Sequence, residues 1–177
     1  MRNEDQQRSL FMQVERAANE GMVDVAAPSI STAEGDVEDT KLTARRLLEL
    51  QLVAERAYEA TLRSLNDEDD AEMVSSVAAQ LREDIDATRV QLARLHDRHR
   101  VEAAKGAAAV EKVTGIAAGM LGKAATAKGL MIGELAMAHT AEALLEHADL
   151  IPDVADALRQ ANVDAAKARA AALRMVA

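Results

Sequence analysis

The sequence predicts an all-α protein: a four-helix bundle that follows an N-terminal arm. Alanine, the strongest helix former, is the commonest of the 177 residues, whereas the chain has one Tyr, one Phe and no Trp. Because strands are enriched in aromatic and β-branched residues, this composition favours helices over sheets. Four segments after residue 39 also repeat apolar residues every three or four positions, the spacing of an amphipathic helix. We therefore expect an arm, residues 1–38, and a bundle, residues 39–177.

The arm is expected to form a short amphipathic helix and a linker. Leu10, Val14 and Ala17 recur at helical spacing, and a cluster of turn-forming residues begins at Pro28. A helix this short is marginal on its own. The arm is therefore expected to dock on the bundle, to bind a protein partner or to remain mobile, and the bundle is expected to fold without it.

The bundle helices are expected at Leu42–Leu65, Ala71–Ala104, Leu130–Ala148 and Pro152–Val176. The long Gly- and Ala-rich segment Lys105–Gly129 separates the first pair of helices from the second. An up-down bundle needs only a short loop at that point, so the sequence predicts one long, helix-containing crossover between helices 2 and 3. The expected inward positions of the fourth helix are Val154, Leu158, Ala161, Ala165, Ala168, Ala172 and Val176.

Charge and composition exclude several classes of function. A net charge of −9 argues against nucleic-acid binding, which needs a basic face. With no cysteine, the chain can form no disulfide, thiolate metal site or cysteine nucleophile, and it shows no phosphate-binding loop or nucleophile elbow. The polar start lacks the apolar core of a secretory signal, and no uncharged run is long enough to span a bilayer. We expect a bacterial-type cytoplasmic protein.

A polar layer is predicted inside the bundle. Glu134 lies in the middle of the apolar stripe of the third helix, and Gln51 lies near the stripe of the first. Thr88 and Arg89 share the Ile85 face of the second helix. A buried carboxylate must be protonated, hydrogen-bonded, paired with a cation or bound to a metal. Arg89 is the expected partner of Glu134, ahead of Gln51 and His96.

Two sets of residues could instead bind a metal. His96 and His99, at i and i+3 near the end of the second helix, could join Glu134 in one site. The other set lies on a flank of the third helix and consists of His139, Glu142 and Glu146. Solvated surface residues are the competing interpretation of both sets. No metal is expected, and iron or manganese is the alternative.

The segments Gln51–Tyr58 and Val113–His139 resemble the ferritin-like superfamily, and within it the demethoxyubiquinone hydroxylase branch. In that branch a Gly-rich amphipathic crossover precedes a third helix that carries a metal-binding Glu, the position of Glu134 here. Gln51 stands where the family has a ligand Glu. The resemblance covers about residues 40–177 and implies a ferritin-like four-helix bundle. It also implies that residues 105–129 could contact a membrane surface, although that segment lacks the aromatic residues that anchor such helices.

The chain departs from the family at the two Glu-x-x-His pairs that a di-iron site requires. The corresponding segments are Glu83–Asp86 and Asp164–Lys167, which contain no histidine and lie off the predicted stripes. We therefore expect a degenerate metal site and a non-catalytic binding or assembly module. The alternative is a metal-binding oxidoreductase or metal-storage protein with a remodelled site. The Ala-rich helix faces favour a homo-oligomer.

Overall fold

The computed structural model describes residues 33–65, 67–103, 107–175 and 177, with side chains described from Val37 onward except in 104–123. These residues form helices and no strand. The fourth helix of the bundle is continuous and contains a π-helical turn in its middle. The predicted all-α, four-helix architecture is confirmed. The elements are α1 (Ala33–Ser64), α2 (Glu68–Arg94), α3 (Ala107–Glu146), α4 (Pro152–Arg159), the π-helical turn (Gln160–Asp164) and α5 (Ala165–Arg174).

The core lies between the four helices and is built from aliphatic side chains. Each such side chain, when fully buried, contributes about 1.5–3 kcal/mol to the free energy of unfolding. Among the described helices none is both long and apolar enough to cross a membrane. The largest fully buried apolar side chains are Tyr58, Leu47, Leu81, Ile85, Leu158 and Leu173.

Helix α1 begins at Ala33, six residues before the predicted start of the bundle at residue 39. Residues 33–38, which the sequence predicts to be part of the linker, belong to this helix. The amphipathic helix and the rest of the linker predicted for the arm fall in residues 1–32, outside the described residues.

Helix α2 has well-defined caps at both ends. The side chain of Asp67 accepts a hydrogen bond from the backbone N–H of Asp70 at 3.1 Å, a favourable N-cap. At the other end, the backbone N–H groups of His96 and Asp97 donate to the carbonyls of Ala93 and Leu92, with His96 in the left-handed region at φ 55°. This is the Schellman arrangement, which usually has glycine in place of His96.

The predicted extent of the second helix, to Ala104, is therefore wrong, because the helix ends at Arg94. The sequence has no glycine at this point to mark the end. The third helix also differs from its prediction, since α3 begins at Ala107 and includes residues assigned to the crossover. Its many alanines, at roughly 1 kcal/mol per residue better than glycine, sustain the helix through the glycines.

Helices α1 and α2 run antiparallel. The guanidinium of Arg45, early in α1, bonds Asp97 just beyond the end of α2 at 2.5 Å. Further along α1, Glu55 accepts a hydrogen bond from Arg82 of α2 at 3.2 Å. Residues later in α1 therefore contact residues earlier in α2, as expected for antiparallel helices.

Helices α1 and α3 are antiparallel as well. Tyr58 of α1 meets Glu134 of α3, whereas Thr40, near the start of α1, accepts a hydrogen bond from the backbone N–H of Ile151 beyond the end of α3. Because α2 and α3 are both antiparallel to α1, they are parallel to each other.

The π-helical turn changes which residues of the fourth helix face inward. At this turn the N–H of Ala165 bonds the carbonyl of Gln160, five residues back instead of four. The extra residue moves every later position one place along the helix. The predicted inward positions Ala168 and Ala172 are consequently exposed, Ala165 is half-buried, and Val176 lies outside the described residues. The buried residues of α5 are Ala166, Arg169, Ala170 and Leu173.

Candidate functional site

Each of the four helices contributes one polar side chain to a cluster at the centre of the bundle. The cluster, called the central cluster below, consists of Tyr58 from α1, Asp84 from α2, Glu134 from α3 and Arg169 from α5. The side chains of Arg169 and Glu134 are each 1% exposed, whereas that of Asp84 is 22% exposed. A cation and two carboxylates thus meet between all four helices.

The guanidinium of Arg169 joins the two carboxylates. Its Nε and Nη2 donate to the two oxygens of Glu134 at 3.0 and 2.9 Å. Its Nη1 donates to Oδ2 of Asp84. The pairing with Glu134 is therefore bidentate, the geometry in which an arginine binds a carboxylate most strongly.

Tyr58 completes the surroundings of Glu134. Its hydroxyl donates to Oε1 of Glu134 at 2.7 Å. Burial and the neighbouring Glu134 carboxylate raise the pKa of the Tyr58 hydroxyl above its ordinary value. The phenol therefore stays protonated and acts as a hydrogen-bond donor, not as a base.

Of the two carboxylates that bond Arg169, Asp84 is the weaker partner. Burial and, to a lesser extent, the neighbouring Glu134 and Glu83 carboxylates raise the pKa of Asp84, the Arg169 guanidinium lowers it, and the net direction is upward. Desolvation of the charged form is the largest single influence on this carboxyl. Glu134 is the principal partner of Arg169.

A second polar layer lies next to the central cluster and is built on the π-helical turn. Nε2 of Gln51 donates to the carbonyl of Ala161 at 3.1 Å. The side-chain amide of Asn162 donates to Thr88 Oγ1 at 3.2 Å and to the carbonyl of Leu158 at 2.9 Å. In a regular α-helix the Ala161 carbonyl would bond the N–H of Ala165. Gln51 therefore satisfies a carbonyl that the π-helical turn leaves free.

Of the four residues predicted to form the polar layer, the structure buries Gln51, Thr88 and Glu134. The placement of Arg89 is wrong, because its side chain is 55% exposed and bonds Asp86 at 3.0 Å. Arg89 lies on the flank of α2 that is opposite to Asp84. That flank lines a groove of about 660 Å³ between α1, α2 and the segment after α2, whereas the other faces the fourth helix.

His96 and His99 fit the interpretation as solvated residues, not as metal ligands, because both follow the end of α2 and are exposed. His99 lies beside Asp97 and Arg45: its Nδ1 is 2.8 Å from Oδ1 of Asp97 and 2.8 Å from Nη2 of Arg45. These three residues, called the α2 clip below, fasten the segment after α2 to α1. His96 serves as the left-handed residue that ends the helix, so neither histidine approaches Glu134.

The second candidate metal set lies on the surface of α3. His139 and Glu146 are exposed, and Glu142 is paired with Lys167 at 3.4 Å. Within the described residues, no group of three or more His, Asp or Glu side chains is arranged to hold a metal ion.

The polar residues of the fourth helix were not predicted. Arg169 and Asn162 fall off the expected stripe because the π-helical turn shifts it by one residue. The sequence carried a signal for this shift. Leu173, the one leucine in the second half of that helix, falls outside the predicted stripe, and a change of helical phase would have placed it inside.

The central cluster does not fit a di-metal centre of the kind that the resemblance implies. Such a centre needs carboxylates from four helices and two histidines, but the cluster offers two carboxylates and no imidazole. Both oxygens of Glu134 already accept hydrogen bonds from a cation. The guanidinium of Arg169 occupies the space between the two carboxylates in which a metal ion would have to bind.

Comparison with known proteins gives no relative from which a function could be transferred. No protein-family model, no curated protein and no solved structure matches this chain.

Proposed function

We propose that this protein is a ferritin-like helical bundle that acts as a non-catalytic binding or assembly module, with an arginine in place of the central metal. One observation carries the proposal: Arg169 bonds both oxygens of Glu134 and one of Asp84 at the point where all four helices meet. A buried arginine with this geometry is a structural cross-link. Both oxygens of Glu134 accept hydrogen bonds from this cation, so a metal at the same place would have to displace the guanidinium.

The order of the helices supports the ferritin-like part of the proposal. Helices α2 and α3 are parallel, and a bundle with this arrangement needs one long connection, as ferritin-like folds have. One polar residue from each helix points to a common centre, which is also how ferritin-like proteins place their metal ligands. The acidic, cysteine-free composition supports a cytoplasmic location.

The outer face of α3 supports assembly with a second copy of the chain. In residues 129–141 the one Asp, Glu, Lys or Arg is Glu134, which is buried, while Leu135 is 48% exposed. Gly129 and Gly133 are exposed, and a Cβ atom at either position would meet nothing within 4 Å. Each glycine costs about 1 kcal/mol relative to alanine inside a helix. Close approach of a second helix would explain why this cost is tolerated.

Metal analysis tests the non-catalytic part. The full chain is incubated aerobically with Fe²⁺ or Mn²⁺, desalted, and analysed for both metals. We expect far less than one metal per chain and no acceleration of Fe²⁺ oxidation over buffer, with the same result for Glu134→Gln. About two metals per chain, lost in Glu134→Gln, would overturn the proposal and favour the metal-binding oxidoreductase or storage protein.

Sedimentation velocity tests the assembly part. Gly133→Leu adds a side chain that has room in the single chain but not against a close partner helix. We expect the native chain to form an oligomer and Gly133→Leu to shift it toward monomer, while Ala87→Leu on the exposed surface of α2 leaves it unchanged. A native chain that remains monomeric at about 100 μM, where a Kd of about 1 μM would give mostly oligomer, would contradict the assembly proposal.

A further inference from the structure

We propose that Glu134, Asp84 and Tyr58 form a guanidinium-binding cage, which Arg169 fills from within the same chain. The cage presents acceptors to two different edges of a planar cation. The edge formed by Nε and Nη2 meets both oxygens of Glu134 at 3.0 and 2.9 Å. The other terminal nitrogen, Nη1, donates a hydrogen bond to Oδ2 of Asp84. Three of the five N–H donors of the guanidinium are thus matched by three different carboxylate oxygens.

The cage does not depend on Arg169 for its walls. Glu134, Asp84 and Tyr58 come from α3, α2 and α1, while the guanidinium comes from α5. The Tyr58 hydroxyl bonds Oε1 of Glu134 at 2.7 Å and fixes the carboxylate independently of the cation. A carboxylate that is already oriented loses less conformational entropy when it binds its ligand.

The arrangement fits a planar guanidinium better than other cations. The carboxylates of Glu134 and Asp84 lie on different edges of the guanidinium and are separated by its width. A small divalent metal binds oxygens at about 2.0–2.1 Å and would require the two carboxylates to converge. An ammonium group is a compact point charge and cannot bond a carboxylate through a two-donor fork. The ligand class of the cage is therefore guanidinium and its singly substituted derivatives.

Chemical rescue of Arg169→Ala tests the cage. Truncation to alanine removes the guanidinium and leaves its space. Methylguanidinium chloride at 10 mM is expected to raise the melting temperature of this variant by about 3–6 °C if it binds with a Kd of about 1 mM. At this concentration its denaturing effect is negligible, because guanidinium salts act on a molar scale.

Matched samples separate binding in the cage from general salt effects. Methylguanidinium should not raise the melting temperature of three controls: the native chain, the double variant Arg169→Ala with Glu134→Gln, and Lys167→Ala on the exposed surface. Equal ionic strength of NaCl, and 1 mM MnCl₂, should not rescue Arg169→Ala. The proposal is overturned if methylguanidinium gives no rise, or if NaCl or MnCl₂ gives an equal one.

Arg169→Lys extends the test to the case in which Arg169→Ala does not fold. Lysine keeps the charge and loses the planar fork. A cage that recognises the guanidinium shape predicts that Arg169→Lys melts several degrees below the native chain. A melting temperature within one degree of the native value would show that charge alone is recognised and would contradict the proposal.

Discussion

The central cluster and the α2 clip are both built on an arginine that bonds an aspartate or glutamate, but they differ in depth. In the central cluster the Arg169 side chain is 1% exposed and bonds two carboxylates from two other helices. In the α2 clip the Arg45 side chain is 24% exposed and bonds one carboxylate, that of Asp97, whose side chain is 2% exposed. Asp97 is therefore about as covered as Glu134, whereas the arginine is buried at one place and partly solvated at the other.

This difference in depth predicts a difference in energy. Removing one partner of a buried ion pair leaves an uncompensated charge and typically costs about 3–5 kcal/mol, although the pair as a whole can be neutral for stability. A hydrogen bond to a charged group nearer the surface contributes less, about 1.5–3 kcal/mol. The central cluster should accordingly respond to substitution more strongly than the α2 clip.

Arg169→Ala is expected to have the largest effect. Loss of the guanidinium leaves Glu134 buried without a cation, which should cost about 3–5 kcal/mol and lower the melting temperature by about 6–20 °C. Urea unfolding and thermal unfolding, both followed by circular dichroism, measure this loss of stability. A loss below about 1 kcal/mol would mean that the cluster is solvated and that its comparison with the α2 clip fails.

Asp97→Asn is expected to have the next largest effect, about 1.5–3 kcal/mol at pH 7. The hydrogen bond from Arg45 holds the pKa of Asp97 well below its usual range. A lowered carboxyl pKa contributes stability that is complete above the ordinary value of about 3.9 and is lost as the pH falls below it. The difference between native and variant should therefore shrink below pH 4 in urea unfolding. A difference that is constant from pH 7 to pH 3 would contradict this account of the α2 clip.

Asp84→Asn should change stability by less than about 1 kcal/mol at pH 7, because burial of the Asp84 carboxylate offsets its attraction to Arg169. The raised pKa of Asp84 gives the opposite pH dependence to Asp97. When the folded-state pKa is raised, the contribution is present below the unfolded value of about 3.9 and is lost as the pH rises. Relative to Asp84→Asn, the native chain should thus lose stability with rising pH. If Asp84→Asn instead lowered the free energy of unfolding nearly as much as Arg169→Ala, Asp84 would stabilise the fold as much as Glu134 does.

Lys167→Ala should have the smallest effect. Lys167 is half exposed and lies 3.4 Å from Glu142 on the outside of the same two helices that form the Glu134 and Arg169 pair. Exposed pairs contribute about 0–1 kcal/mol. A cost comparable to that of Arg169→Ala would remove burial as the reason for the difference between the regions.

The fold could be predicted from the sequence largely because its apolar stripes are regular. The stripe of α3 located Glu134, and the stripe of α1 located Gln51. Two helix ends could not be predicted, since α2 ends at a left-handed histidine instead of a glycine and α3 passes through several glycines without breaking. Local propensity does not reveal either feature.

The cation of the central cluster could not be located for a different reason. A periodicity argument assumes that a helix keeps one phase along its length, and the π-helical turn at Gln160–Asp164 breaks that assumption. With the shift, Arg169 moves from the flank to the centre of the bundle. On α2, Arg89 and Asp84 flank the stripe symmetrically, so that the sequence alone does not tell which of them faces the fourth helix.

A double-mutant cycle on Glu134 and Arg169 tests the central claim most directly. Urea unfolding is measured for the native chain, Glu134→Gln, Arg169→Met and the double variant, and a parallel cycle uses Arg89→Met. We predict a coupling energy of at least about 2 kcal/mol for the pair with Arg169 and additivity within about 0.5 kcal/mol for the pair with Arg89. Additive effects of Glu134→Gln and Arg169→Met, or a coupling of Glu134 to Arg89 instead, would contradict the account.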